Sequence, residues 1–343
     1  MIVKGEGKGA ASSYATLLLQ LLACDESSTS ALFLEATLLH HEIVCKGLSH
    51  NTLLLNLLIR IYGSCGSPST SLSLFSQLPN PNQHSWNFII SALSEYHPNT
   101  SFQLFQDMEN RACLLPNKFI YASILSACAF KNNPQLGSGS AHSPYLGQIQ
   151  PRIGSTLPLV KCLHVRVCAL GLDEDVAVGT ALVNTYAKHA HIEDACFTFG
   201  QILCPNTHSW TAIISAIANH GDAEEAVCML ARMHEQGLIP NKVSFLSSLH
   251  VCDNEMSLIY AKPVHVAILE NGFESDRSIA TSLINMYAKC GKLNEARAIF
   301  GGISRLDEQA WNAMISAHVL YGQAQEVIYL YSQMLLQGLL PNN

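Results

Sequence analysis

Between Thr207 and Asn241 the apolar residues Trp210, Ile213, Ile214 and Ile217 recur at steps of three and four. That spacing predicts an amphipathic helix with one apolar stripe turned to a core. The stripe ends at Gly221, where a left-handed C-cap is best made by a residue without a Cβ. Asp222 then stands as the N-cap of a second helix, with Glu225 three residues on in a capping-box-like pattern. Ala226, Met229, Leu230 and Met233 carry a second stripe until Gly237 and Pro240 stop it. Two antiparallel helices of this kind cannot bury their own apolar faces, so they must stack on further copies of themselves.

Such copies recur on a fixed ruler. Trp86, Trp210 and Trp311, each followed by an aliphatic pair, stand 124 and 101 residues apart. Tyr62, Tyr186 and Tyr287 repeat both intervals, and Cys128 and Cys252 repeat the longer one. The stop at 237–241 (Gly-Leu-Ile-Pro-Asn) returns as Gly-Leu-Leu-Pro-Asn at 338–342 and Cys-Leu-Leu-Pro-Asn at 113–117. The chain divides into units of 35 residues (83–117, 207–241, 242–276, 308–342) and of 31 residues (52–82, 176–206, 277–307). Residues 118–175 number 58, a 35-residue unit with an insertion of 23. The insertion is expected at about 138–160, a stretch without helical periodicity that reads as a surface loop. A degenerate 38-residue unit, 14–51, comes first, behind an N-terminal segment, 1–13. The expected fold is all-α, an α-solenoid superhelix of stacked antiparallel helix-turn-helix repeats.

Composition narrows the function. With 48% hydrophobic and only 13% charged residues, the chain can bury a long continuous core. The net charge of −7 argues against loose, charge-driven binding to nucleic acid, so any such binding must rest on individually placed side chains. Twelve cysteines without a close recurring pair, several of them among apolar residues (Cys24, Cys128, Cys228, Cys252), read as structural thiols in a reducing compartment. Cys162 and Cys168, six apart, suit nearly two turns of a core helix. Arg60 interrupts the nearest candidate for a membrane span. Residues 1–13 contain Glu6 and no Arg, and make a poor transit peptide.

The stretch 285–297 (Asn-Met-Tyr-Ala-Lys-Cys-Gly-Lys-Leu-Asn-Glu-Ala-Arg), together with the alternation of 35 and 31, resembles the pentatricopeptide repeat proteins. More narrowly it is similar to their land-plant subclass built from P, L and S repeats. The resemblance covers about residues 14–343. It implies the order L-like (14–51), S (52–82), P (83–117), L with the insertion (118–175), S (176–206), P (207–241), L (242–276), S (277–307) and P (308–342). The 34-residue tetratricopeptide repeat, the nearest competitor, has no reason to alternate in length.

In that family each repeat addresses one unstacked base through its fifth and its last residue, where amides, hydroxyls or carboxylates match a Watson–Crick edge. Carried over, the resemblance implies pyrimidine readers at Asn56 with Asn82, Asn87 with Asn117, and Asn312 with Asn342. It implies adenine readers at Thr180 with Asn206 and Thr211 with Asn241, and a guanine reader at Thr281 with Asp307. The L units carry Ala122 and Leu246 at the fifth position and receive no preference. The implied partner is single-stranded RNA of the form 5′-NYYNAANGY-3′. Taken singly, each terminal Asn reads equally well as a turn or cap residue. The second positions (Leu53, His84, Ala177, His208, Ser278, Gln309) depart from the valine-like residues usual in the family, although His can stack on a base.

Proteins of this alternating type often continue into a zinc cytidine deaminase, which needs His-x-Glu with Cys-x-x-Cys. His40-His41-Glu42 spells the first half, but the chain contains no Cys-x-x-Cys. It has no Walker loop and no Gly-x-Ser-x-Gly either. The expectation is therefore not an enzyme but an RNA adaptor: no cofactor, no metal, no membrane, no small-molecule substrate, and, if it acts in editing, a deaminase supplied in trans or from missing sequence. C-to-U editing of organelle transcripts is the implied process, in the mitochondrion or alternatively the chloroplast. A protein-binding α-solenoid scaffold, favoured by the charge, is the alternative. A truncated fragment is the third reading, because the chain stops where another L unit would begin.

Overall fold

The computed structural model describes residues 3–23, 29–110, 114–129, 157–303 and 306–339. Eighteen α-helices and one 3-10 turn, with no strand, make up the regular structure of these residues. The chain forms two compact units, Met1–Thr185 and Tyr186–Asn343.

The first unit holds α1 (Val3–Ala23), α2 (Thr29–Cys45), α3 (Thr52–Ser64), α4 (Pro68–Ser76), α5 (Gln83–Ser94), α6 (Pro98–Asn110), α7 (Lys118–Ala129) and α8 (Leu157–Ala169), with α9 (Val176–Lys188) running across the boundary. Here α3 packs on both α1 and α5, and α5 packs on α7. The first helices of successive hairpins thus form one row. The second unit continues with α10 (Ile192–Gln201), α11 (Thr207–His220), α12 (Ala223–Glu235), α13 (Lys242–Val251), the 3-10 turn (Glu255–Ser257) and α14 (Leu258–Glu270). After these come α15 (Arg277–Lys289), α16 (Leu293–Gly302), α17 (Glu308–Leu320) and α18 (Ala324–Leu336). Its row runs α11, α13, α15, α17, and α12 packs on α14 behind it. Each unit is thus an all-α stack of antiparallel helix pairs, the expected fold class.

Local chemistry accounts for the ends of these helices. Gly221 takes the left-handed conformation (φ 93°) that closes α11, and Asp222 Oδ1 accepts from Glu225 N at 2.9 Å to open α12. The apolar stripes are buried as the spacing predicts: Trp210, Ile213, Ile214 and Ile217 on α11, and Ala226, Met229, Leu230 and Met233 on α12. No described helix is long and apolar enough to cross a membrane.

The internal repetition extends to the side chains that join one hairpin to the next. Phe75 meets Trp86 edge-to-face at 4.9 Å between centroids, Phe199 meets Trp210 at 4.7 Å, and Phe300 meets Trp311 at 4.9 Å. Such geometry sets the positive ring edge against the negative ring face. A second pairing joins His40 to Tyr62 and His265 to Tyr287, with centroids at 5.8 and 5.5 Å. One close approach depends on a missing side chain: a Cβ on Gly63 of α3 would lie 2.5 Å from the Cβ of Ala92 on α5.

Two sequence-based expectations change. Leu157–Val160, placed in the inserted loop, form the first turn of α8, and Val160 is fully buried. The rest of that insertion, 138–156, lies outside the described residues. Cys162 and Cys168 do share α8, but both are exposed rather than core. The buried thiols are elsewhere. Burial pushes Cys128 up to about 12 and Cys252 to about 11, so both stay protonated and behave as small apolar groups.

Candidate nucleic-acid interface

Among the described residues, the last residue of each 31- or 35-residue unit from 52 to 307 is the N-cap of the next first helix. Asn82 Oδ1 accepts from Ser85 N and from Ser85 Oγ, both at 3.0 Å. Asn117 accepts from Ile120 N at 3.1 Å, Asn206 from Ser209 N at 3.0 Å, Asn241 from Ser244 N at 2.9 Å and Asp307 from Ala310 N at 2.9 Å. The cap satisfies an otherwise orphaned helix N–H. It also fixes the side chain, so that the second polar atom, Nδ2 of Asn or Oδ2 of Asp, has a defined position. Capping and base reading therefore use different atoms of one group and are compatible. Asn342 lies outside the described residues.

The fifth residues lie one turn inside the first helices. Asn56 of α3 is buried, and its Nδ2 reaches Oδ1 of Asn82 at 3.5 Å, so the fifth and last residues of this unit touch. In the unit 207–241 the link is indirect. Thr211 Oγ1 lies 2.9 Å from Ser244 Oγ, which in turn donates to Asn241 Oδ1 at 3.1 Å. Asn87, Thr180, Thr281 and Asn312 are all half-buried. Thr180 belongs to the first compact unit and Asn206 to the second. Three of these positions keep a buried polar atom without a partner: Asn56 Oδ1, Asn87 Oδ1 and Thr180 Oγ1. Such an atom costs on the order of 1–3 kcal/mol unless something satisfies it.

The two units with an apolar fifth residue, Ala122 and Leu246, are built differently. Asp175 Oδ1 accepts from Ala177 N (2.9 Å) and Val178 N (3.4 Å), while its Oδ2 takes Lys118 Nζ at 2.9 Å. Asp276 repeats this with Ser278 N (3.0 Å), Ile279 N (3.1 Å) and Lys242 Nζ at 2.9 Å. Partial burial alone would raise both carboxyls, but the lysine bond and the two backbone donors together hold them below the usual carboxylate range. A groove of about 620 Å³ opens beside Leu246, lined also by Ser247, His250, Ser282, Asn285 and Lys289. At the second positions Leu53, Phe119 and Val243 expose more than half of their surface, and His84 and His208 are exposed as well.

Sequence reasoning missed Lys118, Lys242 and Ser244. The signal for the lysines was present. Both open a unit that ends in Asp and carries an apolar fifth residue.

Stacked helix pairs, with a capping amide or carboxylate at the described starts of α3, α5, α7, α9, α11, α13, α15 and α17, define a helical-repeat protein. Residues 201–255 match the family model described as the pentatricopeptide repeat domain, and residues 278–306 and 309–339 match that of the PPR repeat. A putative pentatricopeptide repeat-containing protein of Arabidopsis thaliana is 36% identical over 182 residues, 53% of this chain and 26% of its own length. A second from the same plant is 29% identical over 314 residues, 89% of this chain and 63% of its own. The chain thus spans from about a quarter to somewhat under two thirds of these relatives. Other Arabidopsis matches are named as chloroplastic and as mitochondrial. Among solved structures, maize PPR10 superposes with a TM-score of 0.57 at 18% identity, over 92% of this chain and 43% of that one. PPR10 in complex with an 18-nucleotide psaJ RNA element gives 0.52 at 15% identity, over 98% and 49%. Residues 201–255, 278–306 and 309–339 thus match pentatricopeptide repeats.

Proposed function

We propose that this protein binds single-stranded RNA sequence-specifically, one base per repeat, through the fifth and last residues of its P- and S-type units. The observation that carries this reading is the approach of Asn56 Nδ2 to Asn82 Oδ1 at 3.5 Å, which brings the fifth and last residues of one unit together. The contact of Asn56 with Asn82, and the relay from Thr211 through Ser244 to Asn241, support a paired reader rather than two independent caps. The repeating Phe–Trp and His–Tyr junctions support an array alternating in the order P, L, S. Relatives with RNA bound and with organellar names support RNA as the partner and an organelle as the compartment, the mitochondrion first and the chloroplast second.

The target on this reading is 5′-NYYNAANGY-3′, and the role is that of a specificity factor for C-to-U editing, the deaminase being supplied in trans or by a further segment of the protein. The chain itself contributes recognition and no bond-breaking chemistry. The test is equilibrium binding at fixed salt to 5′-CUUAAAAGU-3′ and to a control with purines and pyrimidines exchanged at the coded positions. A preference of about tenfold, on the order of 1.4 kcal/mol, is expected. Thr211→Asn and Asn241→Asp should each move the preference at the sixth base. Equal binding of both strands, or a preference blind to both substitutions, ends this reading.

A further inference from the structure

The two carboxylates Asp175 and Asp276 occupy the unit-terminal position at which Asp307 is assigned to guanine, yet their surroundings differ from those of Asp307. A carboxylate offers about four lone-pair sites on two oxygens. In Asp276, Oδ1 is taken by Ser278 N and Ile279 N and Oδ2 by Lys242 Nζ, which also donates to Ser278 Oγ at 3.0 Å. Asp175 is held in the same way by Ala177 N, Val178 N and Lys118 Nζ. Asp307 uses Oδ1 for Ala310 N, and among the described residues no Lys or Arg pairs with its Oδ2.

We propose that Lys118 and Lys242 silence their repeats: each neutralises and occupies the terminal carboxylate, so that it cannot accept from the N1–H and N2–H of guanine. This deepens the base-per-repeat reading and rests on it. Two independent observations agree. The pairing recurs at the same first-to-last positions in both units. Both of those units also carry the fifth residues that cannot read a base, Ala122 and Leu246. A free carboxylate beside an apolar fifth residue would repel the ring acceptors of adenine and cytosine and attract the paired N1–H and N2–H donors of guanine. A lysine-bound one is neutral to all four. The ammonium is well suited to this, being a compact charge that holds one carboxylate oxygen while its stem spans from the first residue of the unit to its last. The pairs are partly exposed, so their effect lies in which lone pairs remain available more than in fold stability.

The test uses the full chain and the strand 5′-CUUAAAAGU-3′ with each of the four bases at its seventh position, opposite unit 242–276. Wild type is expected to discriminate less than about twofold there, and Leu246→Thr alone less than about threefold. The double variant Lys242→Met/Leu246→Thr is expected to favour guanine about tenfold, since the tripled hydrogen-bond load on Asp276 is relieved on Oδ2. Should Lys242→Met fail to give folded protein by circular dichroism, Lys242→Gln takes its place. If Leu246→Thr alone gains the full preference, or the double variant gains none, the lysine does not silence the unit. Wild-type discrimination at the fifth, sixth and eighth bases is measured on the same samples. Its presence alongside a failed gain overturns this proposal alone, whereas its absence removes the base-per-repeat reading and this proposal with it.

Discussion

Asn56 and Asn82 meet at 3.5 Å, Nδ2 to Oδ1, although they belong to different helices and stand 26 residues apart. Asn82 is at the same time the N-cap of α5, bonded to Ser85 N and Ser85 Oγ. The group assigned to a base is therefore also a structural cap, and substitutions can separate the two roles.

Asn82→Ala removes the cap and is expected to cost about 1 kcal/mol, read as a lower urea midpoint. Asn82→Asp caps equally well and should leave that midpoint in place. It nevertheless replaces the Nδ2 donor by an acceptor. Cytosine presents acceptors at N3 and O2, and uracil a donor at N3, so the second base of the target should shift towards uracil. An unchanged cytosine-to-uracil ratio in the aspartate variant would remove Asn82 from recognition.

Ala190 is in the left-handed region (φ 60°), at the turn position where Gly66 (φ 72°) and Gly291 (φ 77°) stand in related units. A Cβ is strained there. Ala190→Gly is expected to stabilise by about 0.5–1 kcal/mol, after the extra freedom of glycine in the unfolded chain is subtracted. Thermal melting of the two proteins side by side decides it, and a lower midpoint for the glycine variant would contradict the assignment of strain.

Gly63 and Ala92 form a contact with no room for another methyl group. Gly63→Ala should destabilise the α3–α5 packing by ~1–3 kcal/mol, as overpacking does. Adding Ala92→Gly returns the volume and should recover most of the loss. If the double variant is no better than the single one, the cost of Gly63→Ala comes from the backbone and not from this contact.

His40 and His265 are half-buried, and burial lowers the affinity of both rings for a proton. Each sits beside a tyrosine hydroxyl, at 3.2 Å from Tyr62 and 2.8 Å from Tyr287. The unfolded chain takes up these protons near pH 6.5, while the folded chain resists them until lower pH. Stability from this source is thus fully present above about pH 6.5 and declines as pH falls through the depressed folded values. Urea midpoints at pH 7.5, 6.0 and 5.0 should fall in that order, and less steeply in His40→Phe/His265→Phe. The same slope in both proteins would place the pH dependence elsewhere.

The cap chemistry was legible in the sequence because it is local. Asn206 reaches Ser209 and Asp222 reaches Glu225 across three residues, a distance set by the helix itself. The same holds for the stripes on α11 and α12, whose periodicity states which side faces the core, and for the recurrence of Trp86, Trp210 and Trp311. Together these dictate an all-α stack of hairpins. The loop reading of Leu157–Val160 failed because a short apolar stretch behind a polar one has too little length to display a period.

Stacking decided the rest. Whether Asn56 touches Asn82, whether Ser244 bridges Thr211 and Asn241, and whether Lys242 reaches Asp276 all depend on how one hairpin leans on the next. Residues 26 to 34 apart have no spacing rule to bring them together; the packing of helix on helix does so. The exposure of Cys162 and Cys168 has the same origin, since a helix states its own face but only its neighbours determine how much of that face they cover. The helix pairs and their caps were therefore written in the chain, and which polar side chains touch from one pair to the next was decided by the tertiary structure, because only packing brings them together.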